Sequence, residues 1–109
     1  MDFNTLQKEL RELSDLTKPK MKLTTAREQE ILAKTVKLNE EVGELCNDIL
    51  SILQLQRQSK LDKFDKTNIY QEFADVILTT MQLADAARVD VDRAVRDKIK
   101  TIKKRESES

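Results

Sequence analysis

From Thr25 to about Gln56 the chain runs for some thirty residues without a proline and with one glycine, Gly43. Only a helix accommodates such a stretch without breaking its backbone hydrogen bonding, and thirty residues span roughly 45 Å at 1.5 Å per residue. Apolar side chains recur along it at helical intervals. At 100° steps Ile31, Leu38, Val42, Leu45, Cys46, Ile49, Ile52 and Leu53 fill one broad arc, while Glu30, Lys37, Glu40, Glu41, Glu44 and Asp48 fill a second. A helix this long in a small protein is expected to pack along a neighbour or a partner chain. Gly43 in its interior costs about 1 kcal/mol against Ala, which suggests either close approach of another backbone or ligand, or simple tolerance.

The remaining segments agree with an all-α chain. Phe3, Leu6, Leu10, Leu13 and Leu16 form a stripe over residues 2–16, and Pro19 ends that helix. Thr25 and Glu28 form a capping-box pattern at the start of the long helix. Residues 57–66 read as a polar connection. Thr67 or Asn68 then caps a third helix reaching about Arg88, and Asp90 caps a fourth carrying Val91, Val95, Ile99 and Ile102. With one Gly, one Pro and four aromatics in 109 residues, there is little material for the turns and strands of a β domain. The expected organisation is a single all-α domain over residues 1–109. It has an N-terminal helix and linker over 1–22, core helices over 24–105 and a frayed tail over 106–109.

Several functional classes drop out. The chain has no His, which removes Ser-His pairs and His-ligated zinc, and its one Cys allows no internal disulfide. Cys46 reads as a small buried hydrophobe. Twenty basic and twenty acidic residues cancel, so no global field argues for nucleic acid or membrane. No signal peptide and no apolar run near the ~18 residues of a membrane span are present, so a cytoplasmic protein is expected.

Two acidic clusters remain, Glu40, Glu41 and Glu44, then Glu72 and Asp75, separated by 27 residues that can reverse the chain. Residues three or four apart stack on one helix face. If the two segments pack antiparallel, Glu41, Glu44, Glu72 and Asp75 converge, with Glu40 beside them. Convergent carboxylates repel unless a hard, oxygen-seeking cation sits between them. The first cluster also has a plain explanation, because Lys37 precedes Glu40 and Glu41 by three and four residues and can bridge both on a solvated face. Glu72 in a first helical turn is favoured by the helix dipole. Asp75 is harder to explain so simply. It is the one charge between Phe73 and Ala84, a stretch that reads as a largely buried helix, where a lone carboxylate must be paired, protonated or metal-bound.

The spacing Glu40-Glu41-x-x-Glu44 followed by Glu72-x-x-Asp75 resembles the EExxE…ExxD signature of the all-α, MazG-type nucleoside triphosphate pyrophosphohydrolases. The resemblance covers about residues 28–105, including the runs Lys37-Leu38-Asn39 and Leu83-Ala84-Asp85. It implies a helical bundle completed by homo-oligomerisation, as a homodimer or homotetramer. The implied reaction is Mg²⁺-dependent hydrolysis of a nucleoside triphosphate to the monophosphate and pyrophosphate, with Mn²⁺ as a substitute ion. Glu41, Glu44, Glu72 and Asp75 would then ligate the metal. Glu40 would be an accessory ligand or position the attacking water, and Lys98 and Arg105 would contact phosphates. Attack at phosphorus needs a metal and an oriented water more than a protein nucleophile, so a site without His or catalytic Cys suffices. The chain departs from the family pattern at Ile102, where the family carries Asn, and it has no Trp or His upstream of the first cluster.

Two alternatives stay open. One is phosphoribosyl-ATP pyrophosphohydrolase, which shares the carboxylate logic. The other is a non-catalytic helical oligomerisation or adaptor module with a merely solvated acidic face. The five basic residues at 98–105 are ordinary cations near a helix C-terminus, and lack the interleaved aromatics of a nucleic-acid patch.

Overall fold

A computed structural model describes residues 2–18, 25–61 and 68–108. They form five helices: α1 (Phe3–Thr17), α2 (Ala26–Ile52), α3 (Gln58–Leu61), α4 (Asn68–Ala86) and α5 (Val91–Ser107). No strand occurs among the described residues. No helix among them is long and apolar enough to cross a membrane.

The starts of the helices follow side-chain chemistry. Asp2 accepts from the Thr5 amide at 2.8 Å and opens α1. Thr25 and Glu28 form the expected capping box, Thr25 Oγ1 accepting from the Glu28 amide and Glu28 Oε1 accepting from the Thr25 amide, both at 3.1 Å. Asp90 accepts from the Arg93 amide at 3.1 Å and opens α5. Lys18 has left the helical region at ψ 131°, as a residue before proline must. Pro19 itself, and Thr67 and Phe64 further on, lie outside the described residues.

The ends differ more from expectation. α2 stops at Ile52, short of Gln56, because Gln54 takes the left-handed conformation at φ 57°. The Leu55 amide donates to Leu50 O at 2.8 Å and the Gln54 amide to Ser51 O at 3.0 Å, which closes a Schellman motif. Arg88 does the same after α4, at φ 59°, with Val89 N–H on Ala84 O and Arg88 N–H on Asp85 O. The polar connection contains one turn of helix, α3. α5 continues to Ser107, past Arg105 where the tail was expected to begin.

Among the described residues only α2 and α4 pack along one another. They run antiparallel, in a register fixed by two cross-links. Lys34 Nζ donates to Gln82 Oε1 at 3.0 Å, and Arg27 Nε donates to Ala86 O at 2.8 Å. The seam is lined by half-buried Ile31, Leu38, Leu45 and Ile49 of α2 and by Ile69, Val76 and Leu83 of α4.

The broad apolar arc of α2 therefore divides. Val42, Cys46, Ile52 and Leu53 face outward, and Cys46 is exposed instead of buried. No apolar residue is fully buried among the described ones. The stripes of α1 and α5 are open to solvent, as are Phe73, Ile77 and Met81 of α4. The radius of gyration is 20.4 Å, against about 13 Å for a packed domain of this size.

Candidate metal centre

Seven residues, or two turns, along each helix from the Lys34–Gln82 cross-link, Glu41 comes level with Asp75. One turn further, Glu44 comes level with Glu72. Glu41 lies on the seam between Leu38 and Leu45, and Glu72 lies on it between Ile69 and Val76. Both carboxylates thus take positions that apolar side chains hold elsewhere. Glu41 is 6% exposed, one of three fully buried residues among those described, with Ser51 and Thr79.

One carboxylate oxygen each of Glu41, Glu72 and Asp75 lies within 4.8 Å of the other two. Oxygens around Mg²⁺ at 2.0–2.1 Å are about 3 Å apart when adjacent and about 4.2 Å when opposite, so small rotamer changes would close the set around one ion. Glu41 Oε1 is taken by Lys37 Nζ at 3.1 Å, while its other oxygen, Oε2, is buried without a partner. Glu72 Oε2 is likewise buried and unpartnered. A buried carboxylate oxygen with no donor is costly, and the cluster holds two of them. This donor set fits a hard cation.

The electrostatics agree. Glu72 has its pKa raised above the ordinary value, first by burial and then by the charges of Glu44, Asp48, Asp75 and Glu41. Lys37 is pushed up by its hydrogen bond to Glu41 and by the charge of Glu40.

The other expected residues are placed differently. Asp75 belongs to the trio, but it is exposed on the single chain; the burial expected of it belongs to Glu41. Glu44 is exposed and outside the trio, close enough to act on Glu72. A step of three residues turns 300°, so Glu44 falls 60° to one side of the seam that holds Glu41. Glu40 is exposed and paired with Lys37 at 3.6 Å. Lys98 and Arg105 sit on α5, which does not pack along the α2/α4 seam, and Arg105 lies 3.7 Å from Glu106.

Asp48, half-buried one turn beyond Glu44, acts on Glu72 and was not singled out from the sequence. Its spacing of four and seven residues from Glu44 and Glu41 was the available signal. Beyond it Asn47 anchors the end of α2, its Oδ1 accepting from Gln56 Nε2 at 2.6 Å and from Lys60 Nζ at 3.3 Å.

Compared with known proteins, the chain matches no family model, no curated protein and no solved structure.

Proposed function

We propose that the chain is a metal-dependent nucleoside triphosphate pyrophosphohydrolase of the all-α, MazG-like type, and that its carboxylate trio holds Mg²⁺ or Mn²⁺. The observation that carries this reading is the approach of one oxygen each of Glu41, Glu72 and Asp75 to within 4.8 Å of one another across the two helices, with one oxygen of Glu41 and one of Glu72 buried without a partner. Simple helix surfaces do not bury such atoms. The motif resemblance supplies the reaction.

In that reaction a water oxygen attacks the α-phosphorus, the bond from that phosphorus to the bridging oxygen breaks, and pyrophosphate leaves. An ion held there would neutralise phosphate oxygens and so let an anionic substrate approach. The residues of the chain hold and orient. Glu41, Glu72 and Asp75 would supply the first ligands to the ion, and Glu44, level with Glu72, would be the nearest further carboxylate. Glu40, outside the trio and facing solvent, is the group that orients the water and takes up its proton. Lys98 and Arg105 are assigned to phosphate contacts made in an oligomer, since α5 does not lie along the seam of its own chain.

Homo-oligomerisation belongs to the same reading. Phe73 and Ile77 on α4 and Leu32, Val36 and Leu50 on α2 are all more than a third exposed. Outward apolar faces on both paired helices favour a second copy.

A screen of pyrophosphate release across nucleoside triphosphates, with and without Mg²⁺, tests the activity. Asp75→Asn and Glu41→Gln should each lower turnover by more than about 100-fold, beyond what loss of an outer-shell partner costs. Including phosphoribosyl-ATP among the substrates separates the related enzyme reading. A non-catalytic adaptor is the second reading, favoured by the way Lys37 bridges Glu40 and Glu41 as on an ordinary solvated face. Titration with Mn²⁺ decides between them, because an adaptor has no saturable site.

A further inference from the structure

Two residue stripes lead away from the carboxylate trio. On α2, Glu41, Lys37, Lys34 and Glu30 follow one another at steps of four, three and four. On α4, Asp75, Leu78, Gln82 and Asp85 follow at steps of three, four and three. Each set stays on one side of its helix. In the antiparallel register they run side by side along the seam, and their halves away from the trio, with Met81, line an open groove of about 400 Å³ formed by Glu30, Lys34, Leu78, Met81, Gln82 and Asp85. That volume is in the range of small-molecule sites.

The chemistry of the groove changes along its length. Lys37 stands one turn from the trio, its ammonium 3.1 Å from Glu41 Oε1, and Lys34 one turn further, held across the seam by Gln82 Oε1 at 3.0 Å. The floor is apolar, with Leu78 57% and Met81 51% exposed. The far end carries the exposed carboxylates of Glu30 and Asp85. Among the described residues no Lys or Arg lies within ion-pair distance of either. Glu30 is eleven residues from Glu41 and Asp85 ten from Asp75, or roughly 15–17 Å of helix. An extended nucleotide covers that distance from its metal-bound phosphates to the edge of its base.

We infer that this groove receives the nucleoside half of the substrate, and that Glu30 and Asp85 select bases bearing an exocyclic amine. The inference rests on the pyrophosphohydrolase reading. Cationic side chains meet the phosphates, Leu78 and Met81 offer flat apolar contact to the ring, and ionised carboxylates, which only accept hydrogen bonds, receive the amine. A keto oxygen at the same place would face a carboxylate with no donor between them. Sites built on a hydrogen bond to one group discriminate strongly against the analogue lacking it.

The test compares kcat/KM for nucleotide pairs that differ by amine and keto at one ring position, dCTP with dUTP and ATP with ITP, using the full chain and Mg²⁺. The aminated member of each pair is expected to be preferred about tenfold or more. In the double variant Glu30→Gln, Asp85→Asn that preference should fall to near unity, mainly through KM, while Mn²⁺ binding stays as in the native chain. Leu78→Ala should raise KM for all four nucleotides and leave the preference in place. Turnover with no amine preference, or a preference that survives the double variant, overturns the inference and leaves the pyrophosphohydrolase reading standing. Absence of both turnover and saturable Mn²⁺ binding overturns the two together.

Discussion

Lys37 Nζ lies 3.1 Å from Glu41 Oε1, and the two partners differ sharply in exposure, 51% for the lysine side chain and 8% for the glutamate. A pair on an open helix face is exposed on both sides and contributes little. Here a half-exposed ammonium stands against a carboxylate that is buried, belongs to the trio with Glu72 and Asp75, and has its second oxygen without a partner. Lys37 therefore supplies, from one side, part of the positive charge that the cluster lacks.

Replacing that lysine should have two opposite effects. Lys37→Met leaves Glu41 buried and unpaired, so the melting temperature in EDTA should fall. The same variant removes a cation beside a cation site, so Mn²⁺ should bind several-fold more tightly. Calorimetry in EDTA and Mn²⁺ titration followed by electron paramagnetic resonance read the two effects. Unchanged melting together with unchanged affinity would return the pair to an ordinary surface bridge.

Glu72 gives the metal-free protein an unusual response to acid. Its folded-state pKa is raised, with burial the first cause and neighbouring carboxylates the second. Between the unfolded value, about 4.5, and the higher folded value, the folded chain binds more protons than the unfolded one. Stability from this group is thus present at the acid end of that window and lost as pH rises through the folded pKa. In EDTA the melting temperature of the native chain, relative to Glu72→Gln, should decline as pH rises from 4.5 toward neutrality. At neutral pH the variant should melt higher than the native chain in EDTA. Mg²⁺ or Mn²⁺ should raise the melting temperature of the native chain and hardly change that of the variant. A native chain equal to the variant at every pH would mean that Glu72 carries no repulsion.

How far the sequence reveals this arrangement can be followed residue by residue. The helix starts at Thr25 and Asp90 are written in side chains that accept backbone hydrogen bonds, and they were legible. The end of α4 near Arg88 was legible too, from the Asp90 cap that follows it, but the stop at Gln54 was not, because it uses a left-handed residue other than Gly or Asn, which leaves no mark in the sequence. The spacing made the approach of Glu41, Glu72 and Asp75 legible on the condition that the two helices pack antiparallel, and the register that meets the condition is held by the Lys34–Gln82 and Arg27–Ala86 cross-links. Spacing did not separate Glu41 on the seam from Glu44 beside it, a difference of 60° that depends on which part of the apolar arc meets α4. Burial of Asp75 was misjudged for a related reason. The apolar run around it shows that α4 has more than one hydrophobic face, but not that Phe73 and Ile77 stay exposed on the single chain.

The two left-handed helix ends are open to simple stabilisation. A residue with a Cβ in that conformation costs about 1–2 kcal/mol, and glycine removes the clash while adding about 0.4–1 kcal/mol of unfolded-chain entropy. Gln54→Gly and Arg88→Gly should each stabilise the chain by up to about 1 kcal/mol, measured by urea unfolding. Alanine at the same positions keeps the Cβ and should bring no such gain. A gain from alanine equal to that from glycine would show that the side chains, and not the backbone conformation, set the balance.

Gly43 provides the means to ask whether a second copy covers the outer face of α2. It lies on the stripe with Leu32, Val36, Cys46 and Leu50, at spacings of four, seven, three and four residues, and all of these are exposed on the single chain. A Cβ built on Gly43 meets nothing within 4 Å. In an isolated chain, Gly43→Ala should therefore add about 1 kcal/mol of helix stability. If a partner helix crosses this stripe at its smallest residue, the added methyl enters the contact and a larger side chain forces the helices apart. An oligomer built across this face should show little gain from Gly43→Ala and dissociation in Gly43→Leu, read by light scattering at micromolar concentration beside the unfolding curves. A full stabilisation by alanine, with the native oligomeric state retained in Gly43→Leu, would place the assembly contact on α1, α4 or α5 instead. A native chain that stays monomeric and folded would remove the oligomer from the functional reading altogether.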